Sequence, residues 1–490
     1  MKRDLGALTA REHDVVVVGG GIHGVATAYD AAQRGLSVAL VEANDFGSGV
    51  SWNSLKTIHG GLRHLQRADV FQARESMRER RALLRIAPDI VRPLPFLVPT
   101  YGHGLRGREA FAAALRAYDL ISPDRNEDVP PERRIPRSHL VAREEVKRMV
   151  PGLDDPRLTG GALWSDAQVT HGERLIMALC RAAADAGAAL ANYVAATGFL
   201  RSGPAVTGIR ARDVEGSGEL EIRGRMVVIA TGPGVDRLLA RAEAKAVGGP
   251  MLLGMNLVLR RALVTTHAVG ATNGGRFLFL VPWRDRSIVG TAYDPPTATP
   301  DVSVSRFVEE ARRAFPWAGI GHGDVSLVHR GLVPARAGGR ALEMRSRVVD
   351  HEAADGIPGL VSMRGVKLTT ARAEAEKAVD LAVRRLGRTA PRCRTATTPL
   401  SGALPLQGSV AEQARVAVRE EMAVHLTDVV LRRTALGAAG PPASEDLEAA
   451  ASAMAAALGW DERKARAERE AVGGGPARSD PAKTAAREAG

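Results

Sequence analysis

The chain has 490 residues, 45% hydrophobic and 25% charged, which is ordinary for a soluble globular protein and long enough for two or three domains. With 67 Lys and Arg against 55 Asp and Glu, its formal charge of +12 suits anionic small molecules or an anionic membrane face. The basic residues are scattered and no reader motif occurs, which points away from nucleic acid as a partner. Two cysteines without a CxxC or metal-type cluster exclude a disulfide framework and a zinc site.

The first predicted unit is strand, helix, strand. DVVVVGG (14–20) is a short β-branched run that reads as a buried strand. IHGVATAYDAAQRG (22–35) predicts a helix stopped at Gly35, and SVALVE (37–42) the next strand. Between them, Gly19, Gly21 and Gly24 occupy the glycine positions of G-x-G-x-x-G. Gly19 permits the tight turn, Gly21 lets a pyrophosphate approach the backbone, and Gly24 lets helix and strand pack closely. Phosphates at that point meet unpaired N–H groups and the positive end of the helix dipole. Glu42 ends the second strand, where a carboxylate accepts hydrogen bonds from ribose hydroxyls.

SWNSLKTIHGGLRHLQ (51–66) follows and is too polar for a core strand. It holds Ser51, Ser54, Lys56, His59, the Gly60-Gly61 pair, Arg63 and His64. Further on, residues 104–121 combine Arg106, Arg108 and Arg116 with Phe111, Leu115, Tyr118 and Leu120. They predict a helix that is either a basic membrane-surface element or packed on a β-rich domain. ERLIMALCRAAADAG predicts an amphipathic helix stopped by Gly187, with Cys180 as a small buried hydrophobe. Strand-like pieces then lead into RMVVIATGPGVD, a strand ending in a turn at Thr231 and Gly232. Residues 240–350 alternate strands with turns, and FLFLVPW and SIVGT flank RDR as a hairpin. Residues 359–387 predict a strand, a polar turn carrying Lys367, Leu368 and Thr369, and a long helix. Residues 417–437 predict another helix, and 473–490 a polar, disordered tail.

These pieces resemble the FAD-dependent glycerol-3-phosphate dehydrogenases. The resemblance rests on VVVGGGIHGVATAYDAAQRGLSVALVEANDF, KTIHGGLRHLQ, WSDAQV, VPWRDRSIVGT, VKLTTAR and EEMAVHLTDVVLRRTALG, in that order over most of residues 12–440. It implies an α/β (α+β) fold, with a Rossmann-type FAD-binding domain interleaved with a β-rich substrate domain and a small C-terminal helical part. The implied segments are FAD binding at 12–75, 151–239 and 351–390, a surface insertion at 76–150, the β-rich domain at 240–350, helices at 391–472 and the tail at 473–490.

The resemblance further implies hydride transfer from sn-glycerol 3-phosphate to flavin N5, with electrons passing to quinone. Arg63 is then the phosphate-binding arginine, the alternative being a surface ion pair. Lys367 stabilises charge on flavin or substrate, the alternative being a solvated turn residue. His59 is an acid–base or flavin-contacting group, or else a structural histidine, and His64 joins the candidate catalytic set. Ser51, Ser54 and Lys56 supply FAD contacts, Gly60 and Gly61 let the chain pass close to the flavin ring, and Leu368 and Thr369 present backbone N–H groups to the pyrimidine edge.

Three departures mark the substrate pocket. His64 stands for a usual tyrosine, Asn256 for a histidine, and Val333 for an arginine. Val366 also replaces the glycine before the lysine. These keep open a related flavin dehydrogenase or oxidase with a different hydroxy or amine substrate, or a non-catalytic flavoprotein. The expected setting is a cytoplasmic protein, with a peripheral contact on the inner membrane face and a homodimer left open, and no metal.

Overall fold

The structure, a computed structural model, describes residues 1–65, 68–104, 107–273 and 276–473. The chain folds as two units. One takes Met1–Asn53, His171–Leu252 and the residues from Gly331 onward; the other takes Ser54–Thr170 and Leu253–Arg330.

In the first unit the strand His13–Val18 is buried along its whole length. It lies between two parallel neighbours, Val38–Val41 and Glu219–Ile229, and such a central strand has to be apolar on both faces. Ala189–Ala191 and Leu360–Arg364 extend the sheet in parallel, and Arg347–Asp350 closes one edge antiparallel. The helix Ile22–Gln33 packs on Gly172–Asp185 and Ala371–Leu386. Gly35 and Gly387 adopt φ +80° and +62° at helix ends, where a left-handed residue favours glycine. The pairing of Arg347–Asp350 places the end of the β-rich segment expected over 240–350 in this unit.

The helical C-terminal part lies in the same unit. Val410–Glu421, Ser444–Leu458 and Glu462–Gly473 bury their own cluster, including Ala414, Leu426, Val430 and Met454. The single helix expected over 417–437 is broken. Met422 turns left-handed at φ +56°, and the Asp428 carboxylate accepts hydrogen bonds from the Val424 and His425 N–H groups at 2.9 Å each. A short turn, Leu426–Asp428, then leads into a wider π turn, Val429–Arg433.

That break turns two arginines inward. Arg433 grips both oxygens of buried Asp45 at 2.7 Å, and Arg432 Nε reaches the same carboxylate at 2.5 Å. Burial opposes the charge on Asp45, yet Arg433 and Arg432 hold its carboxyl well below the ordinary range. Asp45 follows Glu42, at the end of the second strand, by three residues, so this pair ties that loop to the C-terminal helices.

The second unit is built on a nine-stranded sheet whose ordered path runs Val325–Pro334, Met251–Leu259, Arg286–Asp294, Arg276–Trp283, Ala268–Asn273, Val91–Tyr101, Leu158–Val169 and Thr57–Ile58. His139–Val141 pairs with Leu158–Val169 off that path. The expected hairpin forms between Arg276–Trp283 and Arg286–Asp294. Thr57–Ile58 pairs with Gln168 and Ala167, which draws residues 54–75 and 151–170 into this unit, away from the FAD-binding segments expected at 12–75 and 151–239.

The helix Arg108–Leu120 packs on the sheet, with Leu115 and Tyr118 buried beside Phe96 and Trp164. Leu115 and Tyr118 are thereby spent inside this unit, while Leu120 on the same helix stays exposed; Arg106 lies outside the described residues. Among the described residues no helix is long and apolar enough to cross a membrane.

Two consequences for stability can be measured. Arg433→Ala leaves a buried carboxylate short of its main partner and is expected to cost on the order of 3–5 kcal/mol in a denaturant melt. His425 bridges Glu215 at 2.9 Å and Glu468 at 2.8 Å. Burial disfavours its cation, but the two carboxylates outweigh burial and raise its pKa to about 10. A folded-state pKa above the unfolded one stabilises at low pH. The melting-temperature gap between wild type and His425→Gln should be largest below about pH 6.5, shrink as the pH rises and vanish above about pH 10.

Candidate active site

Each unit carries its own set of candidate groups. In the first, the turn after His13–Val18 is shaped by close approaches. Gly19, at φ +111°, sits so near the end of Glu219–Ile229 that a Cβ would lie 2.7 Å from the Ala230 carbonyl oxygen. At Gly24 a Cβ would lie 1.8 Å from the Gly19 oxygen, which is the tight helix–strand packing expected there. Gly21 caps the helix without a side chain, and the Ser51 hydroxyl accepts from the Ile22 N–H at 3.0 Å.

Glu42 accepts from the Gly20 N–H at 2.6 Å and the Asn44 N–H at 2.8 Å. It therefore shapes the loop as well as ending the strand. Thr231 and Gly232 stand opposite, at the end of Glu219–Ile229. The buried Thr231 hydroxyl has no hydrogen-bond partner among the described residues.

The turn before Ala371–Leu386 completes this unit's set. The N–H groups of Leu368 and Thr369 donate to no acceptor among the described residues. A Cβ at Gly365 would fall 2.2 Å from the ring of His23, so His23 packs directly on the turn that leads to Lys367. Burial lowers the His23 pKa to about 4, making its imidazole neutral. Sequence reasoning passed over His23; its place as a variable residue inside the glycine motif was the available signal. A nucleotide cradle, an orphaned hydroxyl and two N–H donors at a turn form a donor set that fits FAD.

The second unit gathers Ser54, Lys56, His59, Gly60, Gly61, Arg63 and His64. Lys56, in a left-handed conformation at φ +63°, is buried with its ammonium 5.4 Å over the Trp283 ring. Its N–H donates to the Ser54 hydroxyl at 3.3 Å, and the Ser54 carbonyl accepts from His329 Nδ1 at 3.2 Å. Burial, then the nearby Lys56 charge, push the His329 pKa well down.

Two of these candidates also meet demands of packing. The Gly60-Gly61 pair, expected to let the chain pass close to the flavin ring, lacks side chains where this unit's own residues crowd it. A Cβ on Gly60 would lie 2.1 Å from the Tyr118 hydroxyl and 2.2 Å from Arg80, and one on Gly61 2.9 Å from the Ala73 Cα. His64, counted among the catalytic candidates, is buried in the short helix Leu62–Leu65.

His59 keeps 46% of its side chain exposed and places Nδ1 3.2 Å from Asp166 and Nε2 3.0 Å from the Thr57 hydroxyl. Burial opposes the charge on Asp166, but hydrogen bonding from His59 and the charge of Arg80 hold its carboxyl well below the usual range. Asp166, Arg80 and Tyr118 are the residues sequence reasoning missed. The signal was an aspartate inside WSDAQV, a strand otherwise buried.

Arg63 is exposed and forms no ion pair among the described residues. Its charge acts on Tyr293, whose phenol burial pushes up while a Thr291 hydrogen bond and Arg63 oppose the shift. Asn256 is buried and its Oδ1 accepts from Thr291 at 2.8 Å. Val333, in the first unit, is half-buried and brings no charge.

The family model of FAD dependent oxidoreductases matches residues 14–381, and that of the C-terminal domain of alpha-glycerophosphate oxidase matches 393–465. The chain is 32% identical over 416 residues to a glycerol-3-phosphate dehydrogenase of Synechocystis sp., covering 80% of this chain and 73% of that one. It is 34% identical over 391 residues to glycerol-3-phosphate dehydrogenase 2 of Mycobacterium tuberculosis, covering 77% and 64%. This chain thus spans about two thirds to three quarters of these relatives. The fold is shared with glycerol-3-phosphate dehydrogenase from Bacillus halodurans complexed with FAD, at TM-score 0.73, 23% identity, and 96% and 95% coverage.

The cradle makes one direct prediction. Gly24→Ala forces helix and strand apart, at a cost of about 1–3 kcal/mol or more. The variant should purify without the flavin absorbance of the wild type and melt at lower temperature.

Proposed function

The chain belongs to the FAD-dependent oxidoreductase family, within which it is of the glycerol-3-phosphate dehydrogenase type, and from that premise we propose that it oxidises sn-glycerol 3-phosphate to dihydroxyacetone phosphate and passes the electrons to a quinone. FAD, when bound, supplies the two-electron oxidant that takes the hydride. Gly19, Gly21, Gly24, Glu42, Thr231 and Gly232 hold its nucleotide half; the N–H groups of Leu368 and Thr369 and the charge of Lys367 serve its ring.

Arg63 carries the substrate reading. It is an exposed guanidinium, without a carboxylate partner among the described residues, on the helix that follows His59. A planar cation so placed can fork a phosphate. His59 takes the hydroxyl proton. A membrane-dissolved quinone requires the protein to work at the bilayer surface. The second unit offers Phe71 and Leu120 for that contact, 90% and 79% exposed.

A second reading is favoured by Asn256 and Val333. Both are neutral where the resemblance implies charge or an ionisable ring, so a related hydroxy or amine substrate would suit the site. Anaerobic titration of the purified yellow protein with sn-glycerol 3-phosphate separates the two. Under the first reading the flavin band bleaches, and Arg63→Ala weakens substrate binding by about 10–100-fold, the value of one charged hydrogen-bonded contact. If another hydroxy acid or amine bleaches the flavin faster while glycerol 3-phosphate leaves it unchanged, the second reading holds.

A further inference from the structure

Asp166 is divided in its bonding. Oδ1 accepts three hydrogen bonds, from the Gly60 N–H at 2.8 Å, Arg80 Nη1 at 2.6 Å and the Tyr118 hydroxyl at 2.8 Å. Oδ2 accepts, among the described residues, only from His59 Nδ1. An aspartate kept merely to neutralise Arg80 would have no reason to reserve one oxygen for a half-exposed imidazole. The residues involved come from the strand Leu158–Val169, the helices Val70–Ile86 and Arg108–Leu120, and the loop after Thr57–Ile58. Gly60 has no side chain because the Arg80 and Tyr118 heads occupy that space.

We propose that Asp166 is a positioning residue, which fixes the His59 ring with Nδ1 protonated and Nε2 as the proton acceptor, and that Arg80, Tyr118 and the Gly60 N–H fix Asp166 in turn. The proposal rests on the flavin-dehydrogenase reading above for its use in catalysis. An ionised carboxylate can only accept, so the proton shared with it sits on His59 Nδ1. The lone pair of Nε2 then faces outward, marked by the Thr57 hydroxyl at 3.0 Å. A substrate hydroxyl taking that position gives its proton to Nε2 as the O–H bond breaks. FAD, when bound, would supply the two-electron oxidant that balances the conversion of C–H and O–H to the carbonyl, and His59 would hold the hydroxyl proton until its release to solvent. Phe96 and Phe279, with ring centroids 5.7 and 6.0 Å from that of His59, limit its rotation.

The test uses the FAD-loaded full chain labelled with nitrogen-15 histidine, with His59→Asn assigning the His59 signals. Wild type should show His59 as the Nδ1–H tautomer. Asp166→Asn keeps an oxygen for Arg80 and Tyr118 but turns an N–H₂ toward the ring, and should convert His59 to the Nε2–H tautomer. Flavin reduction at saturating sn-glycerol 3-phosphate should fall on the order of 10³–10⁴-fold with KM little changed, as expected for a wrong tautomer. The double variant Asp166→Asn/His59→Asn should be no slower than His59→Asn alone.

An Nε2–H tautomer in wild type overturns the proposal, as does an unchanged tautomer in Asp166→Asn or losses that multiply in the double variant. Should Asp166→Asn fail to fold, the wild-type tautomer still decides. Failure of glycerol 3-phosphate to reduce the wild-type flavin would reject the substrate reading and leave the tautomer result standing.

Discussion

A carboxylate taken out of water has to be met by cations and N–H donors, or it does not stay charged. Each unit of this protein carries such a group beside its candidate site. In the first, Asp45 is closed in by Arg432, Arg433 and the Asn192 amide. In the second, Asp166 collects Arg80, Tyr118, His59 and a backbone N–H. Neither aspartate could be buried alone, so each obliges distant segments to converge. The break at Met422, the absence of a side chain at Gly60 and the inward face of Arg108–Leu120 all follow from satisfying these two charges.

The glycine turn was legible because its constraints are local. Gly19 and Gly24 lie within one turn of each other, and the contact forbidding a side chain at Gly24 is made to Gly19 itself. Periodicity likewise yields His13–Val18, Ile22–Gln33 and Ala371–Leu386, since a doubly covered strand and an amphipathic helix write their environment into their own residues. The hairpin around Asp285 is legible for the same reason: two apolar runs flank a three-residue polar loop.

The second site was only half legible, and the reason is physical. A buried ion pair has no periodicity. Arg80 belongs to a strongly polar helix in which one inward arginine looks like its exposed neighbours, and Tyr118 belongs to a helix that reads as amphipathic in either setting. Arg432 and Arg433 are hidden in the same way, because nothing in a helical run distinguishes inward arginines from exposed ones. His64, by contrast, stood out as a polar residue in a polar loop and proved to be buried. Polarity in sequence marks exposure only where no partner waits inside, and Asp166 lies 86 residues from Arg80 and Asp45 388 residues from Arg433.

That last separation bears on how the chain is made. The loop beside the nucleotide strand is neutralised by Arg432 and Arg433, 387 and 388 residues downstream of Asp45. A ribosome delivers the N-terminus first, at about 5–20 residues per second. During that interval the glycine turn and its strands can be assembled, but Asp45 cannot yet be sealed from water. The glycine turn is therefore synthesised long before the arginines that lock its loop, and Asp45 in the nascent chain has to stay hydrated until Arg432 and Arg433 arrive.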